Sequence, residues 1–294
     1  MNVWLVVKPF PFNLFDPSAE PIKGDPMRIV LEWISKLLMV MTLVMNLVAC
    51  ASNPSSDGSG QEIITDSDET DASKRSRIRL ELAGGYFEQG QTTIALDELK
   101  QSLLINPNNP EAFNLRGLIY MRLGEKQLAE DSFKRSLVLS PKNASVMHNY
   151  GWFLCNQLRF REATDLLNQA LATPNYLGAG KTHMALGMCY QKNNQPVEAE
   201  RSYSRSYELD SGNPIVGYNL ALLQFQRGDD SRAQFYVRRI NNSEFVNAQT
   251  LWLGVKVERR LGNTQAARDL GDQLQRKFAN SEEARKYEKG QFND

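Results

Sequence analysis

Between residues 76 and 280 the apolar and polar positions recur with a period of about 34 residues. Six windows, opening at residues 76, 110, 144, 180, 214 and 247, bring the same residue types to the same places. The eighth place holds Ala83, Gly117, Gly151, Gly187, Ala221 and Gly254, and the twentieth holds Ala95, Ala129, Ala163, Ala199, Ala233 and Ala266. Larger side chains flank these small ones: Tyr86, Tyr120, Leu154, Tyr190, Gln224 and Val257 at the eleventh place, and Leu99, Phe133, Leu167, Tyr203, Val237 and Leu270 at the twenty-fourth. Within each half-window the apolar spacing is helical, as at Phe133 and Leu137. Small residues let two helices cross at close range, and the large ones fill the space between units. Gly90, Gly124 and Gly228 suit the turn between the helices of a pair, and Pro107 and Pro141 end second helices. The third window is about two residues longer, near Pro174–Gly178.

This pattern closely resembles the tetratricopeptide repeat (TPR). The resemblance implies an all-α fold, a right-handed α-solenoid of about six helix-turn-helix repeats over 76–280. The strongly polar residues 281–294 are expected to prolong the final helix as the capping surface a solenoid needs. Repeats, cap and N-terminal segments leave no length for a separate catalytic domain, so the chain reads as a binding protein and not an enzyme.

The N-terminal quarter has a different grammar. Residues 37–49 are nearly all apolar but fall short of the ~20 residues a spanning helix needs. Preceded by Arg28 and Lys36 and ended by small residues, they fit a secretory signal over 27–49, opening at Met27. Residues 1–26, with Pro9, Pro11, Pro17, Pro21 and Pro26, suit no signal peptide and read as an N-terminal extension of the gene model. Leu47-Val48-Ala49-Cys50 resembles a bacterial lipobox, which implies a lipid on Cys50 and no other cofactor. An ordinary signal ending near a chance cysteine is the alternative. Ala51 stands where an aspartate would hold such a lipoprotein in the inner membrane, which points to the outer membrane. Residues 50–75 then read as a flexible tether, rich in Ser, Gly and Thr, with Asp57, Glu62, Asp66, Asp68, Glu69 and Asp71 and no base before Lys74.

Charge and chemistry narrow the function. The 34 basic and 34 acidic residues of the 294-residue chain cancel, which gives no reason to expect nucleic acid. Neither a Gly-rich phosphate loop nor a small-molecule site is legible, and no spacing among His148, His183, Cys50, Cys155 and Cys189 resembles a zinc site. Both histidines read as packed or groove-facing side chains. Arg238-Arg239 and Arg259-Arg260 read as solvated helix faces. Cys155 and Cys189, in the first helices of adjacent units, are either a disulfide in an oxidising compartment or two buried thiols.

The inner surface of such a solenoid is lined by places 2, 5, 9, 12 and 13 of the first helices. Unit two places there Asn114, Leu118, Met121 and Arg122; unit three, His148, Trp152 and Asn156; unit four, Met184, Met188, Gln191 and Lys192; unit five, Tyr218, Leu222 and Phe225. Trp, Met and Phe in one groove suit an apolar helix or an extended peptide, although each could serve the inter-repeat core instead. Leu80 and Gly84 in unit one depart from the Lys/Asn clamp of chaperone-binding repeats, which disfavours a C-terminal carboxylate ligand.

Lipobox, acidic tether and six repeats, with Ile94–Leu99 and His148–Cys155 among the detailed matches, together resemble the type IV pilus biogenesis lipoproteins of the PilF/PilW (pilotin) family. That resemblance implies a type IV pilus secretin subunit as protein partner and a lipid anchor on the periplasmic face of the outer membrane. A repeat lipoprotein serving outer-membrane protein assembly, or adapting peptidoglycan hydrolases or proteases, is the alternative.

Overall fold

The computed structural model describes residues 70–292. The proposed extension, signal segment and Cys50 lie outside these residues. The described residues form thirteen helices and no strand: α1 (Asp71–Glu88), α2 (Thr92–Ile105), α3 (Pro110–Leu123), α4 (Lys126–Leu139), α5 (Ala144–Asn156), α6 (Phe160–Leu171), α7 (Ala179–Lys192), α8 (Pro196–Leu209), α9 (Pro214–Arg227), α10 (Asp230–Asn241), α11 (Ala248–Arg260), α12 (Thr264–Lys277) and α13 (Glu282–Glu288). The first twelve are six antiparallel pairs, one per window, as the all-α TPR reading requires. None of the described helices is long and apolar enough to cross a membrane.

Pairing is set by the small residue at the eighth place. A Cβ on Gly117 would stand 2.6 Å from the ring of Phe133, one on Gly151 2.8 Å from Leu167, and one on Gly187 2.5 Å from Tyr203. Each partner is the residue at place twenty-four of the same unit. Where the eighth place is Ala83 or Ala221, the residue at place twenty-four is Leu99 or Val237, and all four are buried. The backbones of a pair therefore approach until one bulky side chain rests on bare helix.

Local chemistry ends the helices. Asn109, Asn143 and Asn213 occupy the last place of their units, and each side chain accepts two backbone N–H groups of the helix that follows. Ser102, Ser136 and Ser206 are buried at place twenty-seven and donate to the carbonyls of Ser76, Pro110 and Gly180, which closes their units. Gly90, Gly124 and Gly228 take the left-handed turn conformation, and Gly262 joins them. In units three and four the same turn falls on Leu158 and Asn194, at positive φ without a glycine.

Two boundaries depart from expectation. The helix begins at Asp71, inside the tether expected over 50–75, because the Thr70 hydroxyl accepts the N–H of Ser73 and Asp71 sits in the positive first turn. The last residues do not prolong α12. The chain turns at Phe278, Ser281 caps a new helix at Ala284, and α13 packs back on α11 and α12. Ala284 is buried there, and Phe292 lies 5.4 Å from Trp252 between ring centroids. The tail thus covers the apolar face that a seventh repeat would cover.

The first helices of successive units touch at the junctions of units one and two, two and three, three and four, and five and six. Second helices pack mainly on their own partner and on the first helix of the next unit. The layer of first helices is therefore the inside of the curve.

Gly117→Ala checks the pairing constraint. Alanine gains ~1 kcal/mol of helix propensity, but overpacking costs about 1–3 kcal/mol. Phe133 cannot yield easily, because the rings of Tyr150 and Phe153 each lie 5.7 Å away. Urea unfolding should show Gly117→Ala destabilised in the wild-type background and neutral or stabilised in a Phe133→Leu background. Equal effects in the two backgrounds would refute the contact.

Candidate functional site

The inside layer carries the candidate groove. Asn114, Leu118 and Met121 lie on α3, His148 and Trp152 on α5, Met184 and Met188 on α7, and Tyr218, Leu222 and Phe225 on α9. All ten are half-buried; none is wholly in the core and none stands free. The two sequence alternatives, inter-repeat packing and groove lining, therefore hold for the same side chains. Trp152 packs at its base against Leu167, Ala185 and Leu186. Met184 and Met188 pack against Tyr203, Val216 and Leu220. Tyr218, Leu222 and Phe225 pack against Val237, Leu253 and Val257. The remaining surface of each forms a stripe across four units.

Polar side chains tie the stripe from unit to unit. Asn149 Nδ2 donates to Asn114 Oδ1 at 3.1 Å, and Lys192 Nζ donates to Asn156 Oδ1 at 2.7 Å. His148 Nδ1 lies 2.9 Å from the Thr182 hydroxyl, which also meets Tyr176 Oη at 2.9 Å. Burial, helped by Lys181, lowers the His148 pKa and favours the neutral imidazole. Burial also lowers that of His183, with Arg205 adding to the effect. Among the described residues no group of three or more His, Cys, Asp or Glu side chains could hold a metal ion. Burial raises the Tyr218 phenol, and Glu283 on α13 adds to this, so the cap reaches the electrostatic neighbourhood of the groove.

A recurrent feature escaped the sequence reading. A cation of one unit lies over an aromatic ring of the unit before it: Arg122 over Phe87 at 3.7 Å, Lys192 over Trp152 at 5.2 Å, and Arg260 over Phe225 at 4.2 Å. Arg260 also donates to the Phe225 carbonyl at 2.9 Å and pairs with Asp230 at 3.1 Å. Such cations hold the rings' outer faces without drying them. The signal was an aromatic near the end of one first helix and a base near the end of the next. Arg238-Arg239 and Arg259-Arg260 lie on exposed helix faces, as expected, but each also has a partner. Arg238 is bound by the buried Glu258 at 2.6 Å, Arg239 lies 5.8 Å from the Tyr207 ring, and Arg259 stacks 3.7 Å over Phe292.

Cys155 on α5 and Cys189 on α7 form a disulfide with Cα atoms 5.7 Å apart, both wholly buried. The bond lies directly behind the stripe, next in sequence to Met188 and three residues after Trp152. It fixes the separation of the two helices that carry them. Closing a loop of 34 residues contributes about 3–4 kcal/mol in the chain-entropy model. Intact-mass analysis of unreduced protein should read two hydrogens lighter than reduced protein, and reduction should lower the urea midpoint. Alkylation of both thiols in denatured, unreduced protein would refute the bond.

Comparison with known proteins places this geometry. Residues 85–124 match the family model described as TPR repeat, and residues 110–143 match that described as tetratricopeptide repeat. The type IV pilus assembly protein PilF of Pseudomonas aeruginosa is 26% identical over 250 residues, covering 85% of this chain and 96% of that protein. The crystal structure of PilW, described as a widely conserved type IV pilus biogenesis factor, is 32% identical, covers 71% of this chain and 96% of its own, and superposes with a TM-score of 0.65. The structure of Pseudomonas aeruginosa PilF superposes with a TM-score of 0.69 at 24% identity, over 75% of this chain and all of its own, and shows the shared fold.

Proposed function

We propose a function from one premise: this chain belongs to the PilF/PilW family of TPR proteins of type IV pilus biogenesis. In this reading it is a protein-binding scaffold whose groove grips a segment of the type IV pilus secretin subunit. A lipid on Cys50 delivers that grip to the periplasmic face of the outer membrane, where the secretin multimer assembles. The mechanism is non-covalent throughout and asks for no cofactor beyond the lipid.

The observation that carries the reading is the half-buried stripe from Leu118 to Phe225. Each residue is seated at its base, so little rotamer freedom is left to lose on binding. Each also keeps an apolar face outward. Trp152 supplies a wide, rigid contact, whereas Met184 and Met188 adapt to an uneven partner surface. A segment laid along four units would replace water at all of these faces at once.

Trp152→Ala and Met188→Glu should weaken secretin capture by about thirtyfold, the equivalent of ~2 kcal/mol. Helical circular dichroism should stay unchanged. The control is Arg205→Ala on α8, which removes an exposed pair with Glu208 and should do little. If both groove variants fold and still assemble secretin multimers at the wild-type level, the stripe is not the grip.

Cys50→Ser should leave a folded protein, since the repeat core begins beyond residue 70. The protein should move from the membrane to the soluble periplasmic fraction, and secretin multimers should fall or stay in the inner membrane. Normal outer-membrane fractionation of this variant would defeat the anchor reading.

A further inference from the structure

The last unit holds a feature of different chemistry. Between α11, α12 and the residues after α13 lies a cavity of about 570 Å³, within the usual size range of binding pockets. Its walls carry Lys256, Arg259 and Arg260 from α11 and Arg268 from α12, with Tyr287 and Phe292 facing them. Among the described residues, none that lines it is acidic. Asp230, outside the cavity, pairs with Arg260, while Arg259 is stacked on a ring and not on a carboxylate. Arg268 is exposed. Several like charges around one concavity raise its potential and favour an anion there. A guanidinium stacked flat on a ring, as Arg259 is on Phe292, can turn its donor edge to a carboxylate fork, whereas Arg260 already directs donors to Asp230 and the Phe225 carbonyl and contributes mainly charge.

The pocket begins where the apolar stripe ends. Lys256 Nζ lies 5.5 Å from the ring of Phe225, the last aromatic of the stripe, and 5.5 Å from that of Trp252 beneath the cap. A chain leaving the stripe past Phe225 therefore meets Lys256 and then the arginines. The buried Val255 and Ala267 line the same cleft as the cations, together with the Phe292 ring.

We propose that this pocket is an acidic-peptide site: it receives an Asp/Glu-bearing stretch of the same polypeptide whose apolar stretch lies along the groove. The proposal rests on the groove reading above and adds polarity to it, since the acidic end of the bound segment must lie at the sixth unit.

The test uses the full chain in detergent and two labelled dodecapeptides, one alternating Leu with Glu and the other Leu with Gln, read by fluorescence anisotropy. The Glu peptide should bind at least tenfold more tightly at low salt, and the preference should collapse in about 0.5 M salt. Arg268→Glu should remove the preference and leave the Gln peptide unaffected; Arg268→Gln, which reverses no charge, should reduce it severalfold and guards against misfolding. Trp152→Ala should weaken both peptides alike. Equal binding of the two peptides, or a preference that survives Arg268→Glu, overturns the pocket and leaves the groove standing. Loss of preference in Arg268→Glu with no effect of Trp152→Ala overturns the groove and keeps the pocket. Binding to phosphatidylglycerol vesicles that Arg268→Glu abolishes, without peptide preference, assigns the cations to a membrane and also overturns the proposal.

Discussion

Everything else in this fold depends on how closely the two helices of a unit approach. At Gly117, Gly151 and Gly187 no Cβ fits, because Phe133, Leu167 and Tyr203 occupy that space. The other units keep a small residue at the same place, Ala83 beside Leu99 and Ala221 beside Val237, all buried. A small residue at the eighth place therefore keeps the two helices of each unit close. It lets first helices line up as one inner layer, and the stripe of Trp152, Met188 and Phe225 exists only because that layer is continuous. A repeat fold thus turns a contact within each unit into a surface across units.

This is also why so much was legible. The small and large residues at places eight, twenty and twenty-four are separated by fixed intervals inside one unit, so a single sequence displays them. What was missed needs either one atom or two distant units. Thr70 starts α1 through one hydroxyl in a segment whose composition reads as tether. Leu158 and Asn194 make the turns that other units make with glycine, closed by backbone bonds such as Arg159 N–H to the Leu154 carbonyl and Gln195 N–H to the Tyr190 carbonyl, so the glycine signal is missing there. α13 folds back because Ala284, Tyr287 and Phe292 find the uncovered face of α11, which a polar composition conceals. The cations over Phe87, Trp152 and Phe225 come from the following unit and form no local pattern.

The groove residues show how one side chain serves two ends. A fully buried Trp152 would have no face to offer, and a free one would be costly to order on binding. Half-burial resolves this: core contacts from α6 and α7 hold the ring, and the exposed Lys192 lies with its Nζ 5.2 Å from the ring centroid. Deletion of such a residue disturbs both functions, so a control on folding is intrinsic to any study of the surface.

The disulfide behind the stripe has a mechanical consequence. In a solenoid each unit leans only on its neighbours, so a chain pulled from its ends can open unit by unit. The bond between Cys155 and Cys189 joins units three and four in a way tension cannot undo, and it withholds the 34-residue interval from extension. At ~3.5 Å per residue, roughly 120 Å of contour is never released. However far the flanking repeats are stretched, the centre of the groove remains a closed covalent ring.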